Sequence, residues 1–170
     1  MSHHSFKDIF LLPGALAFGG PELRLRTLLG SCVSVVVWHP RLRLGGMCHF
    51  LLPHPGTPQQ DEPDGKYAVD ALEMLRIQMN RYTANLNDFQ SFICGGADCL
   101  STASRGKVVQ GFDIGNRNIQ AAQAWLQAHT LPVMQSDVGG SAYRHVGFDM
   151  WSGHLRVRNG NENEYARQTT

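Results

Sequence analysis

A chain of 170 residues is long enough for one domain that buries about two-thirds of the surface its unfolded form exposes. Hydrophobic residues at 42% and charged residues at 17% are ordinary for a globular protein, and a net charge of +1 leaves no footprint for nucleic acid or an anionic membrane. No apolar run approaches the roughly 18 residues of a membrane span, which argues against direct membrane insertion.

The start, Met1-Ser-His-His-Ser-Phe-Lys-Asp8, lacks the charged head and long apolar segment of a secretion signal, so a cytoplasmic location is expected. Phe10 to Pro13 reads as a short apolar lead-in, and Gly14 to Pro21 as a glycine- and alanine-rich loop. Leu23, Leu25 and Thr27 alternate with Arg24, Arg26 and Leu28, the pattern of a strand with one face turned inward. A threonine hydroxyl on that inward face needs a hydrogen-bond partner, either the backbone or an imidazole.

Thr27 to Pro53 carries the densest signal. Cys32 heads an apolar run, and a turn with a double glycine leads into a second run that carries His49. In a hairpin of Val33 to Trp38 with Gly46 to Leu51, reversing near His39-Pro40-Arg41, an assumed register with Ser34 opposite His49 puts Cys32 opposite Leu51. Residues 32, 34, 49 and 51 then share one face, with Cys32 and His49 as diagonal neighbours roughly 7–8 Å apart at Cβ. An imidazole beside a thiol favours the thiolate, which attacks carbonyl carbon while the imidazolium protonates the leaving group. The spacing alone equally allows a small cysteine and a hydrogen-bonded histidine that serve only the core.

Downstream, Pro53 to Gly65 holds four prolines among acidic and amide residues, a surface loop directly after His49. Tyr67 to Tyr82 has helical spacing, with Ala68, Ala71, Leu72, Leu75, Met79 and Tyr82 recurring on one face. Asp70 and Glu73 read as solvated charges near its start. Phe89 to Cys94 reads as a buried strand ending at Gly95-Gly96, a left-handed turn or a close backbone approach. Ser101 to Lys107 reads as a polar loop. A second helix opens at Gly115-Asn116 and ends near His129, with Ile119, Ala122, Trp125 and Leu126 toward the core. Residues 115–118 offer either backbone N–H groups for an anion or carbonyl, or a simple cap. Strands follow over Val133 to Val138, Tyr143 to Phe148 and His154 to Val157. Residues 1–158 are expected as a single domain, and 159–170 as a polar tail.

Cys32, Cys48, Cys94 and Cys99 allow three disulfide pairings, yet a domain of this size needs no staple, and reduced thiols are expected. Cys94 and Cys99 have no second matching pair, so no metal is expected. The architecture expected is α+β, layered mixed β-sheets with helices packed outside.

Thr27-Leu-Leu-Gly-Ser-Cys32-Val33 followed by Gly45-Gly46-Met47-x-His49-Phe50-x-Leu52-Pro53 resembles the signature of the chemoreceptor glutamine deamidases, the CheD family. The likeness continues through Tyr67-Ala68-x-Asp70-Ala71, Gly95-Gly96-Ala97, Ile114-Gly115-x-Arg117-Asn118 and Asp137-x-Gly139-Gly140. It implies the layered cysteine-hydrolase fold shared with deamidating toxins, a Cys32 nucleophile, a His49 base and a Thr27 that orients the imidazole. Asp137 is the second choice for that orienting role. The resemblance further implies conversion of receptor glutamines to glutamate through a thioester, with some receptor methylesterase activity and no cofactor. Methyl-accepting chemotaxis receptors are the implied substrates and a CheC-type phosphatase an implied partner. Cys48, beside His49, departs from the family pattern and raises a disulfide or redox role. Another Cys-His amidohydrolase and a non-catalytic chemotaxis binding module are the competing classes. The first predicts activity on free glutamine or unstructured peptides, and the second an unreactive Cys32.

Overall fold

The computed structural model describes residues 5–57, 61–98 and 113–160. In chain order, β1 (Lys7–Leu11), β2 (Leu16–Gly19), β3 (Leu23–Leu29), β4 (Val33–His39) and β5 (Leu44–Cys48) precede helix α1 (Ala68–Asn80). After it come β6 (Gln90–Gly95), helix α2 (Ile114–Ala128), β7 (Val133–Val138), β8 (Tyr143–Asp149) and β9 (His154–Gly160). The expected Ser101–Lys107 loop, Cys99 and the tail beyond Gly160 lie outside the described residues.

The strands divide into two mixed sheets, one ordered β1-β3-β8-β9 and the other β2-β5-β4-β6-β7. Alternation along β4 explains the layering. Val33, Val35 and Val37 pack with Leu72, Leu75 and Met79 of α1 and with Ala122 and Leu126 of α2. Val36, from the opposite face, joins Leu25, Met47, Phe92 and Phe148 between the two sheets. A strand so valine-rich and buried on both faces belongs in the middle of a sheet, where β-branched side chains fit the pleat. The molecule is thus helices on one sheet and a second sheet on the other side, the α+β layering expected.

The hairpin forms in the expected register. Val36 pairs with Met47, Val37 with Gly46, and an isolated bridge joins Val33 to Phe50. That ladder places Ser34 opposite His49 and Cys32 opposite Leu51. The reversal is completed by Arg43 at φ 49°, slightly later than His39-Pro40-Arg41.

Three departures have local causes. β1 and β2 form where only a lead-in and a loop were expected. Both are short sheet edges, and the small residues of β2 give little periodic signal. Tyr82 lies past the end of α1 and is 51% exposed, rather than in the core. β9 runs three residues beyond Val157, because β8 supplies partners out to Tyr143↔Gly160.

Gly95 and Gly96 serve a close approach. At φ +110°, a Cβ on Gly95 would sit 2.2 Å from the Cys32 carbonyl oxygen. Glycine there lets β6 press against the backbone of Cys32.

Candidate active site

Thr27 and His49 come from different sheets and meet in the interior between them. Leu11 pairs with Thr27 in the parallel β1–β3 ladder, and the Thr27 hydroxyl donates to the Leu11 carbonyl at 2.8 Å. The same oxygen lies 2.8 Å from His49 Nδ1. A hydroxyl has one hydrogen, so Thr27 must accept from His49, which fixes the proton on Nδ1. Nε2 is left as the bare, basic nitrogen.

The main chain holds the ring in place. His49 N–H donates to Ala15 O at 3.2 Å, and Gly14 N–H donates to His49 O at 2.8 Å. His49 and Thr27 are each 1% exposed. Burial therefore pushes the His49 pKa down to about 4, with the nearby Leu11 carbonyl pulling weakly the other way. At neutral pH the imidazole is therefore uncharged, with Nε2 unprotonated.

Cys32 occupies the same face of the hairpin. Val33 and Phe50 exchange both backbone hydrogen bonds, at 3.1 and 3.0 Å. The adjacent pairs, Ser34 with His49 and Cys32 with Leu51, are therefore non-hydrogen-bonded pairs, whose side chains lie closer together. Cys32 is partly exposed and packs against the inter-sheet core. Ser34 is fully buried, and neither its Oγ nor His49 Nε2 has a hydrogen-bond partner. Two buried polar atoms without partners, on residues opposite one another in the hairpin, are costly for a core and call for an explanation such as a catalytic role.

Other groups fall outside this constellation. Asp137 pairs with Arg144 at 2.8 Å, so the partner of His49 Nδ1 is Thr27. Cys48 points to the opposite, helix-facing side, donates to the Val35 carbonyl at 3.7 Å and has its pKa pushed up to about 12 by burial. That orientation sets its thiol away from His49. Among the described residues, Cys32, Cys48 and Cys94 are in no disulfide, and no group of three potential ligands is placed to hold a metal. Glu73 pairs with Arg76, and Asp70 accepts the Asp64 N–H at 3.0 Å. The N-terminus of α2 is closed by Asp113, whose side chain accepts the Asn116 N–H at 3.0 Å, so the cap explains the start of residues 115–118.

The sequence motif Ile114-Gly115-x-Arg117-Asn118 did not disclose what Asn118 does. Its Nδ2 donates to the carbonyls of Leu51 at 2.8 Å and Ser31 at 3.1 Å, one on each arm of the Cys32–His49 hairpin. The resemblance marked the position, but only the placement of α2 reveals the contacts.

Burial of neutral His49 has a measurable consequence for stability. The unfolded chain binds a proton at the ordinary imidazole pKa near 6.5, whereas the native chain binds it only near 4. The unfolded state therefore carries more protons throughout that window, and native stability falls as pH drops from 6.5 to 4. The loss attributable to this group is about 3 kcal/mol. Denaturant unfolding at pH 7 and pH 4.5 should show a steeper decline in the protein than in His49→Gln. Equal declines would contradict it.

Residues 51–159 match the family described as CheD chemotactic sensory transduction. The chain is 38% identical over 152 residues to the probable chemoreceptor glutamine deamidase CheD of Pseudomonas fluorescens (strain SBW25), covering 89% of this chain and 84% of that one. It is 39% identical over 148 residues to the probable chemoreceptor glutamine deamidase CheD 3 of Dechloromonas aromatica (strain RCB), covering 87% and 85%. A stretch of that length must run through Thr27, Cys32 and His49. The solved structure of the Bacillus licheniformis hypothetical protein YfiH superposes with a TM-score of 0.43 at 15% identity, over 71% of this chain and 47% of that one.

Proposed function

The chain belongs to the CheD family, and from that premise we propose that it is a protein-glutamine deamidase acting on methyl-accepting chemotaxis receptors, with Cys32 as nucleophile. The observation that supports this most is the His49 tautomer. With Nδ1–H given to Thr27, the ring presents its basic Nε2 on the hairpin face that carries Cys32.

The chemistry runs in two halves. Cys32 gives its proton to His49 as sulfur attacks the glutamine carboxamide carbon, and the carbonyl becomes an oxyanion. His49 then protonates the nitrogen as the C–N bond breaks, releasing ammonia and leaving a thioester. Water attacks the thioester carbon while His49 takes its proton. The C–S bond breaks, the thiolate recovers the proton and glutamate leaves. The Cys32 backbone N–H is the natural first donor to the oxyanion. A receptor γ-methyl ester fits the same cycle with methanol as leaving group, so a weaker methylesterase activity belongs to the reading.

The substrate is a folded receptor helix bundle, and the site suits it: Cys32 is reached from the surface while its base stays buried. No described helix is long and apolar enough to cross a membrane. The protein would meet the receptor in the cytoplasm. A CheC-type phosphatase is the partner this reading implies, and co-purification of the two checks it.

Mass analysis of a receptor cytoplasmic fragment after incubation tests the function. A gain of about one dalton per glutamine, from exchange of NH₂ for OH, is expected together with stoichiometric ammonia. An unchanged receptor in the presence of folded, reduced protein would end the assignment.

Thr27→Val tests the orienting role. It keeps the shape but leaves Nδ1–H without an acceptor and frees the ring to adopt the other tautomer. A drop in kcat of about 10- to 100-fold with little change in KM is expected. Wild-type kcat would show that Thr27 only serves the core.

A further inference from the structure

The β4–β5 ladder stops one pair short of what the strands allow. After the Val33–Phe50 bridge, the next hydrogen-bonded pair would be Ser31 with Leu52. It does not form. Leu52 N–H turns to Lys66 O at 3.1 Å, and Ser31 O turns to Asn118. The two arms splay at Cys32, and the Asn118 carboxamide spans the gap, giving one Nδ2 hydrogen to Ser31 O at 3.1 Å and the other to Leu51 O at 2.8 Å. An amide nitrogen has two hydrogens, so Nδ2 is saturated.

Around this clamp, three successive carbonyls are fixed. Gly30 O accepts from Ala97 N–H at 2.9 Å, Ser31 O from Asn118, and Cys32 O from Gly96 N–H at 2.8 Å. A trans peptide is planar, and its C=O and N–H point in opposite directions. The bond from Asn118 to Ser31 O therefore aims the Cys32 N–H away from α2. Gly115 permits the close seating of α2 that this requires, since a Cβ there would lie 2.5 Å from the Gly96 carbonyl oxygen.

We infer that Asn118 is a positioning residue: by clamping Ser31 O and Leu51 O across the splayed end of the hairpin, it sets the direction of the Cys32 N–H and thus the oxyanion site. It touches no reacting atom. The inference rests on the nucleophilic role of Cys32 given above, and it extends that role to the backbone which stabilises the acyl transition state. Asn118 is fully buried, both hydrogens of its Nδ2 are spent on these two carbonyls, and its Oδ1 has no hydrogen-bond partner among the described residues.

The test compares two reactions of one thiol. Alkylation of Cys32 by iodoacetamide builds no oxyanion, whereas acylation by p-nitrophenyl acetate does. In Asn118→Ala, acylation should fall about 100-fold while alkylation stays within about threefold, because an oxyanion donor is misdirected and the thiol is not. Asn118→Ser, which keeps one donor, should lie between, and it also serves if the alanine variant fails to fold. Receptor deamidation should track acylation, with the loss in kcat and not in KM. Equal loss of both reactions would make Asn118 merely structural, and wild-type acylation in either folded variant would overturn the inference. If wild-type protein acylates and the variants do not, yet no receptor glutamine changes, the receptor assignment fails while the positioning role stands.

Discussion

Cys32→Ala is expected to abolish the one-dalton mass gain on receptor fragments, lowering the rate by at least ~10⁴-fold. No other group in the constellation can form the acyl intermediate. Cys48 and Cys94 are buried thiols whose pKa values are pushed up to about 12, so neither can take over at neutral pH. Ser34 lies on the correct face but is fully enclosed. The variant should fold, because Cys32 is small and only partly buried, and its stability should change by no more than about 1 kcal/mol. That separation gives the test its force: native circular dichroism and melting, with no deamidation. A folded Cys32→Ala protein within tenfold of the wild-type rate would remove the thiol from the mechanism and favour the binding-module class. Activity on free glutamine or unstructured peptides would favour a different Cys-His hydrolase.

The site was legible in the sequence to the extent that it is local. Two apolar runs, a turn and a period of two suggest the hairpin but leave its register open, and Ser34 opposite His49 is an assumption that the Val36–Met47 and Val33–Phe50 pairs bear out. The inward parity of Thr27 did follow from alternation with Leu23 and Leu25. What periodicity cannot encode is the sheet to which a strand belongs. β3 and β4 are consecutive, yet they sit in different sheets, and the Thr27–His49 bond crosses the interior between them. The family resemblance, and no rule of spacing, put Thr27 ahead of Asp137. Asn118 was further out of reach, since its bonds join positions 87 and 67 residues away. β1 and β2 were missed because both are short and neither alternates cleanly, β1 being mostly exposed before Leu11 and β2 half-buried throughout. Yet Leu11, at the end of β1, supplies the carbonyl that fixes the whole hydrogen-bond polarity. A segment read as a lead-in thus decides which nitrogen of His49 is the base.

That polarity also determines what His49→Gln should do. Glutamine keeps roughly the volume of the ring and can still donate to Thr27, but it has no basic nitrogen. Proton removal from Cys32 and proton delivery to the leaving nitrogen are both lost, and ammonia is a poor leaving group without that proton. A decrease in kcat of about 10³- to 10⁴-fold is expected, at the upper end for a general acid–base residue because one group serves both halves of the cycle. The pH profile separates this from simple misfolding. In the wild-type protein, burial holds His49 neutral down to about pH 4, so its protonation should not limit the rate between pH 7 and 5. An acid limb centred near 6.5 would instead mean that the functional imidazole is solvated, contrary to its enclosure beside Thr27. In His49→Gln the residual rate should rise with hydroxide or thiolate concentration and show no limb due to this group. Iodoacetamide labelling of Cys32 in the same variant should slow near neutrality and recover at high pH, where the thiol ionises without help. If the variant instead deamidates within tenfold of wild type, the proton moves through another group, and the Thr27–His49 pair is a structural bond between the two sheets.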